Sequence, residues 1–255
     1  MNAVSMVQKS ACLLAICFLA GCTPPVQVKD VLANQTSFLD ANFSPDNLPP
    51  SVRNTITQSD NRPLSFNKMV FHLDWTLNID DKAKTMHEDQ MLTLTNAGGS
   101  FARMLIEDSR NSVPTHQQDS LTYRGLLPLR QQSFAMNASI GGFAYVMHDL
   151  KQFDPITPTA NTLEYAYTSG TSVQFMNFRD GHTTCTLGKP YSASQLFASL
   201  EGQARKVDCT WYNSNGAVSG KRTYAYLEHY GVAIGTGSQL ASGISEAKVT
   251  SASIE

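Results

Sequence analysis

The run from Met69 to Ile79 constrains this chain most. Met69, Phe71, Leu73, Trp75, Leu77 and Ile79 are apolar, and Val70, His72, Asp74, Thr76 and Asn78 fall between them. Apolar positions at period two match the pleat of a strand, whose successive side chains leave opposite faces. They do not match the 3.6-residue period of a helix. The run therefore predicts a long strand with one face in a core, and the remaining chain must supply partners for it.

Several segments read as such partners. Asp80-Asp81-Lys82 supplies a polar turn, and Met91–Thr95 reads as a second strand closed by Asn96-Ala97-Gly98-Gly99. A third strand is expected over 101–107, a polar loop over 108–120, and strands over 121–129 and 143–149. Residues 163–168 and 172–178 flank Ser169-Gly170-Thr171, a hairpin-like spacing. Val207, Cys209 and Trp211 share one strand face. Asn213-Ser214-Asn215-Gly216 is a turn signal, and Arg222–Leu227 returns beyond it.

One short helix is predicted over Ser192–Leu200. Serine stands at its start, Ala193, Leu196, Phe197 and Leu200 form its stripe, and Gly202 lies just past its end. Residues 236–255 are rich in Ser, Ala and Gly and read as a flexible tail, with Lys248–Ile254 as an edge strand. The sum is a mainly β domain with one or two short helices. An antiparallel sandwich or a strongly curved sheet is favoured over a closed barrel.

Composition supplies limits. Hydrophobic residues make up 42% of the chain, enough for a core. The formal charge of -2 gives no long-range field to attract nucleic acid.

The N-terminus carries an address. Lys9 precedes an apolar run of eleven residues, 11–21. A helix crossing a bilayer needs about 20 residues, whereas the apolar part of a secretory signal takes roughly 7–15. The run ends in Leu19-Ala20-Gly21-Cys22, which resembles the lipobox of bacterial lipoproteins. The resemblance implies cleavage before Cys22 and acylation of its thiol and new amino group. Several acyl chains on one residue make a firm membrane anchor. In enterobacterial lipoproteins, Asp after the lipidated cysteine favours the inner membrane. Thr23 stands there in this chain, so the implied address is the periplasmic face of the outer membrane.

That reading divides the chain into a signal (1–21), a lipidated tether (22–63), a β domain (64–235) and a tail (236–255). Residues 23–63 hold six of the eleven prolines and no glycine, which suits a tether, while Val31, Leu32, Phe38, Leu39 and Phe43 leave room for part of it to dock on the domain or form one short helix. Cys12 and Cys17 leave with the signal, and Cys22 takes the lipid. Cys185 and Cys209 remain in a compartment that permits oxidation, so one disulfide is expected.

Chemistry is harder to find. No nucleophile elbow, zinc-protease helix motif, phosphate loop or dinucleotide fingerprint is complete. No catalytic residue, metal ligand or cofactor is assigned. The candidate binding residues are Asp180 and His182, which also suit a polar turn, and Tyr224, Tyr226 and Tyr230, an aromatic row that also suits sheet packing. Arg124 and Arg130 bracket an apolar stretch and read as surface ion-pair partners. The expected role is a non-enzymatic envelope lipoprotein that binds a protein, glycan or lipid. Two alternatives stay open. One is a periplasmic hydrolase assembled from histidines 72, 87, 116, 148, 182 and 229. The other is a lipid carrier with an apolar cavity.

Overall fold

The computed structural model describes residues 26–79, 84–240 and 243–255. Three short helices come first: α1 (Val28–Ala33), α2 (Gln35–Asn42) and α3 (Pro50–Ser59). Six strands follow, β1 (Lys68–Ile79), β2 (Lys84–Asn96), β3 (Phe101–Arg110), β4 (Val113–Tyr123), β5 (Leu127–Ala135) and β6 (Tyr145–Phe153). Six more complete the chain: β7 (Thr162–Thr171), β8 (Arg179–Ser192), β9 (Gln203–Tyr212), β10 (Val218–Leu227), β11 (Val232–Leu240) and β12 (Gly243–Ile254). Each strand pairs antiparallel with its sequence neighbours, and β12 pairs back onto β1, closing a twelve-stranded barrel.

The fold is mainly β, as the sequence predicts, but it is a closed barrel rather than an open sandwich or curved sheet. The closing strand lies in the segment that reads as a flexible tail. Its small residues sit opposite the large ones of β1, with Leu73 against Val249, Trp75 against Ala247 and Leu77 against Ser245. This pairing gives the backbone donors and acceptors of β1 their second partner, which an edge strand lacks.

Other expectations change as well. The tether contains all three helices, and the 192–200 helix shrinks to a single 3-10 turn at Ala193–Gln195. Ala193 and Leu200 are still buried, and Leu196 and Phe197 pack partly buried against the core, without a continuous helix beneath them. The polar stretch 108–120 is a hairpin whose turn residues, Asn111 and Ser112, have φ 52° and 63°. The 121–129 strand is two strands joined at Arg124 (φ 48°) and Gly125 (φ 70°). Two left-handed residues in a row match the twist of a hairpin. β7 runs through Ser169-Gly170-Thr171, and the turn falls at 172–178. Asp180-Gly181 lies inside β8 instead of bending the chain. The Asp80-Asp81-Lys82 turn, the lipobox and Cys22 lie outside the described residues.

Two seams of the barrel are incompletely zipped. β5 and β6 pair only through Arg130–Val146 and Gln131–Tyr145, and β11 and β12 only through 237–240 with 243–246. Both sets of pairs sit at one end. Toward the other end the strands part, and two apolar cores fill the space. One joins Val52 and Ile56 of α3 to Leu121, Tyr123, Tyr165, Val207 and Tyr226. The second joins Phe71, Leu73 and Leu94 to Leu64, Phe66, Ala225, Leu227 and Ile234. β10 therefore buries both faces at this end, Tyr224 and Tyr226 in one core and Ala225 and Leu227 in the other.

The turns at that end (97–100, 124–126, 154–161, 193–202 and 228–231) are tied by buried polar groups. The Asp60 carboxylate accepts from Arg124 Nε (2.7 Å) and Nη2 (3.0 Å), Arg62 Nε (2.8 Å) and the Tyr123 hydroxyl (2.7 Å). Arg124 also donates to the Gly231 carbonyl, the Tyr123 oxygen accepts from the Ile156 N–H, and Ser100 donates to the Asp60 carbonyl. Arg205 donates to the carbonyls of Gly188, Pro158 and Ala160. This end is sealed. Gly125 is required here, because a Cβ at this position would stand 2.2 Å from the Ala233 carbonyl oxygen.

Cys185 and Cys209 are register partners on β8 and β9 and form a buried disulfide, as expected. The outer wall carries His72, Asp74, Lys206, Asp208, Glu246 and Lys248, unlike the apolar belt of a membrane-spanning barrel. Among the described residues, no helix is long and apolar enough to cross a membrane.

Candidate functional site

The end opposite the seal is open. Two adjoining cavities occupy the lumen there, about 370 Å³ and about 260 Å³, with Pro128, Arg222 and Leu240 lining both. Ligand pockets commonly fall near 300–1,000 Å³. Tyr145 (38% exposed) and Leu240 (49% exposed) line the smaller cavity, Leu240 also the larger, and both reach solvent.

The larger cavity is built from strand alternation. β1 contributes Trp75 and Leu77, β2 Glu88, Gln90 and Leu92, and β3 Met104, Ile106 and Asp108. β4 adds His116, Gln118, Ser120 and Thr122, and Arg222, Tyr224 and Gly235 face them from β10 and β11. Following each strand inward from the open rim orders these groups by depth. Glu88, Asp108, His116 and Arg222 come near the rim, and Leu92, Met104 and Tyr224 lie deeper. The smaller cavity adds Leu129, Met147, Tyr167 and Trp211. A charged collar thus stands over a floor of aromatic, thioether and aliphatic groups.

Most collar charges are paired. His116 Nδ1 lies 3.2 Å from Asp108 Oδ2, and Glu88 lies 3.5 Å from Arg110. Arg222 has no acidic partner within salt-bridge distance among the described residues, leaving a cation free to meet an anion at the mouth. Among the described residues, the buried Trp75 indole N–H has no acceptor. A buried donor left unsatisfied costs about 1–3 kcal/mol, and a ligand carbonyl or hydroxyl in the lumen can serve it.

The sequence candidates are scattered. Tyr224 lines the lumen, and burial raises its hydroxyl pKa. Tyr226 lies in the core beside the sealed end. Tyr230 belongs to the other core, where its hydroxyl accepts from the Glu201 N–H. The aromatic row is therefore split: Tyr224 and Tyr226 share one core, where Tyr224 also reaches the larger cavity, and Tyr230 belongs to the other. Asp180 pairs with Lys151, and His182 stacks on Tyr212 at 5.5 Å. Both line a shallow groove with Gly181 and Asn213, away from the lumen.

Arg124 and Arg130 are not surface ion-pair partners. Arg124 is buried against Asp60, and the Arg130 guanidinium lies 5.8 Å from the centre of the Phe43 ring. Of the six histidines, His116 alone lines the lumen, and its neighbour is a carboxylate. Among the described residues, no three of His, Cys, Asp and Glu converge as metal ligands. Arg222, Met104 and Ile106 are missed by sequence reasoning. They enter the lumen from β3 and β10, and only the Trp75 strand carries a pattern strong enough to signal an inward face.

No family model matches the chain, and no curated protein matches it in sequence. Solved structures that resemble it include two barrel-like or uncharacterised proteins. One is a beta-barrel-like protein of the domain of unknown function DUF1849 from Brucella abortus. It is 10% identical, with TM-score 0.46, over 76% of this chain and 99% of that one. The other is a DUF1329 family protein from Desulfovibrio piger, 9% identical, with TM-score 0.39, over 79% of this chain and 90% of that one. At these scores neither carries an argument about this chain's function.

Proposed function

We propose that this chain is an envelope lipoprotein, acylated at Cys22 and held at the periplasmic face of the outer membrane, that binds a single-chain amphiphile in its barrel. Its role is binding, not turnover. The supporting observation is the lumen itself, sealed at one end, apolar at depth and charged at its mouth. An acyl chain fits the floor around Leu92, Met104 and Tyr224. An anionic head fits Arg222. Burying an acyl chain is favourable by about 0.8 kcal/mol per methylene, so a modest cavity suffices for tight binding.

Gly235 provides the test. It lines the larger cavity, and a Cβ built on it meets nothing within 4 Å. Gly235→Phe therefore fills the lumen without a backbone clash. The purified chain should bind a fluorescent fatty acid that unlabelled palmitate displaces, and Gly235→Phe should lose that binding while melting as a folded protein. Equal binding by both proteins would reject the lumen as the site.

A further inference from the structure

The large apolar side chains that remain exposed are not spread evenly. Among the described residues ten stand out, and nine of them (Val113, Ile140, Phe143, Tyr145, Phe175, Met176, Val218, Leu240 and Ile244) lie in or beside the turns of the open rim. Phe175 is 90% exposed and Met176 70%, at the tip of the 172–178 turn. Exposed apolar residues scattered singly need no explanation, but a ring of them marks a contact surface.

The described chain begins at this same rim. Gln27 bridges to Ile140, the Gly141 N–H donates to the Val26 carbonyl at 2.8 Å, and the Val28 N–H donates to Ser139 at 3.2 Å. Val26 is four positions after Cys22. Four residues reach at most about 14 Å when fully extended. Acyl chains on Cys22 therefore enter a bilayer close to the rim that carries Phe143, Phe175 and Met176.

We infer that the open rim seats on the bilayer that holds the chain's own anchor, with the lumen mouth facing the lipid. The inference rests on the Cys22 anchor and the lumen reading proposed above. Aromatic and thioether side chains insert into the boundary between headgroups and acyl chains, where interfacial elements bury about 5–10 Å deep. An amphiphile then passes between membrane and lumen through the mouth without exposing its acyl chain to water. The sealed end, with its buried Asp60 and Arg205 networks, faces away.

Tryptophans placed at opposite ends test this. The full chain is reconstituted in phosphatidylcholine vesicles with brominated acyl chains, carrying either Phe175→Trp at the open rim or Thr159→Trp at the sealed end. Emission is read as the difference from the unsubstituted chain. Bromines should remove about half or more of the Phe175→Trp signal, as insertion to interfacial depth requires, and leave Thr159→Trp unchanged. Equal emission from the two would overturn the inference and favour a protein partner for the rim.

The mass of the purified chain reports acylation separately. An unacylated chain ends the anchor reading, and its quenching contrast on added vesicles still decides the rim. Replacing Phe175 and Met176 together by Asp should slow fatty-acid uptake from vesicles at least several-fold while leaving uptake of fatty acid dispersed in buffer unchanged. Loss of both uptakes would indict the lumen reading, and loss of neither would overturn the docking.

Discussion

Two buried aspartates set opposite pH dependences. Burial pushes Asp60 up, but hydrogen bonds from Arg62, Arg124 and Tyr123 outweigh it and hold its carboxyl far below the usual range. Its contribution is therefore present above the unfolded value near 4 and fades only in stronger acid. Asp119 is the reverse case. Burial raises its carboxyl to about 6, a hydrogen bond from Gln117 opposes the rise, and Oδ2 has no partner among the described residues. A raised acid destabilises the folded state once ionised, so stability falls as pH climbs from about 4 through about 6. A shift of about two units is worth about 3 kcal/mol. Asp119→Asn should remove that slope in urea titrations between pH 4 and pH 7. Asp60→Asn should cost about 3–5 kcal/mol at neutral pH, because it leaves Arg124 buried without its partner. At the mouth, Arg222→Ala should weaken binding of an anionic amphiphile about tenfold, the value of one charge-assisted hydrogen bond, and leave an uncharged analogue unaffected.

At the scale of elements, legibility tracked how local the cause was. The alternation of β1, the Asn213–Gly216 turn and the Cys185–Cys209 bond follow from neighbouring residues or from cysteine arithmetic. β12 does not, because Ser245, Ala247 and Ser251 look like tail composition until β1 lies beside them. α3 is similarly hidden in a proline-rich stretch, and its Val52 and Ile56 acquire meaning only where β5 and β6 part. The disulfide joins strands already paired, and its closed loop spans 24 positions in sequence. Loop-closure entropy at that length is worth about 3–4 kcal/mol. Reduction under native conditions should lower the urea midpoint by a matching amount while the far-ultraviolet circular dichroism stays that of a β protein.

On the proposed reading, the molecule separates stability from binding along one axis. The sealed end holds the buried ion pairs and both cores, and the open end holds the lumen, the exposed apolar rim and the start of the described chain. Of the lumen, Tyr224 alone was named as a candidate binding residue, and the site as a whole was not legible. Its walls take one or a few inward side chains from each of many strands, and sequence spacing records nothing of residues that meet only when β12 closes on β1. The Tyr224–Tyr230 row was legible as an aromatic cluster, but strand alternation keeps only Tyr224 and Tyr226 in one core, and the 228–231 turn sends Tyr230 to the other.

Native mass spectrometry of the full chain purified from the envelope in mild detergent tests the central claim most directly. The account predicts one amphiphile of acyl-chain mass retained per chain, and none on Gly235→Phe prepared in parallel. The same retained mass on both proteins, or none on either, would contradict it.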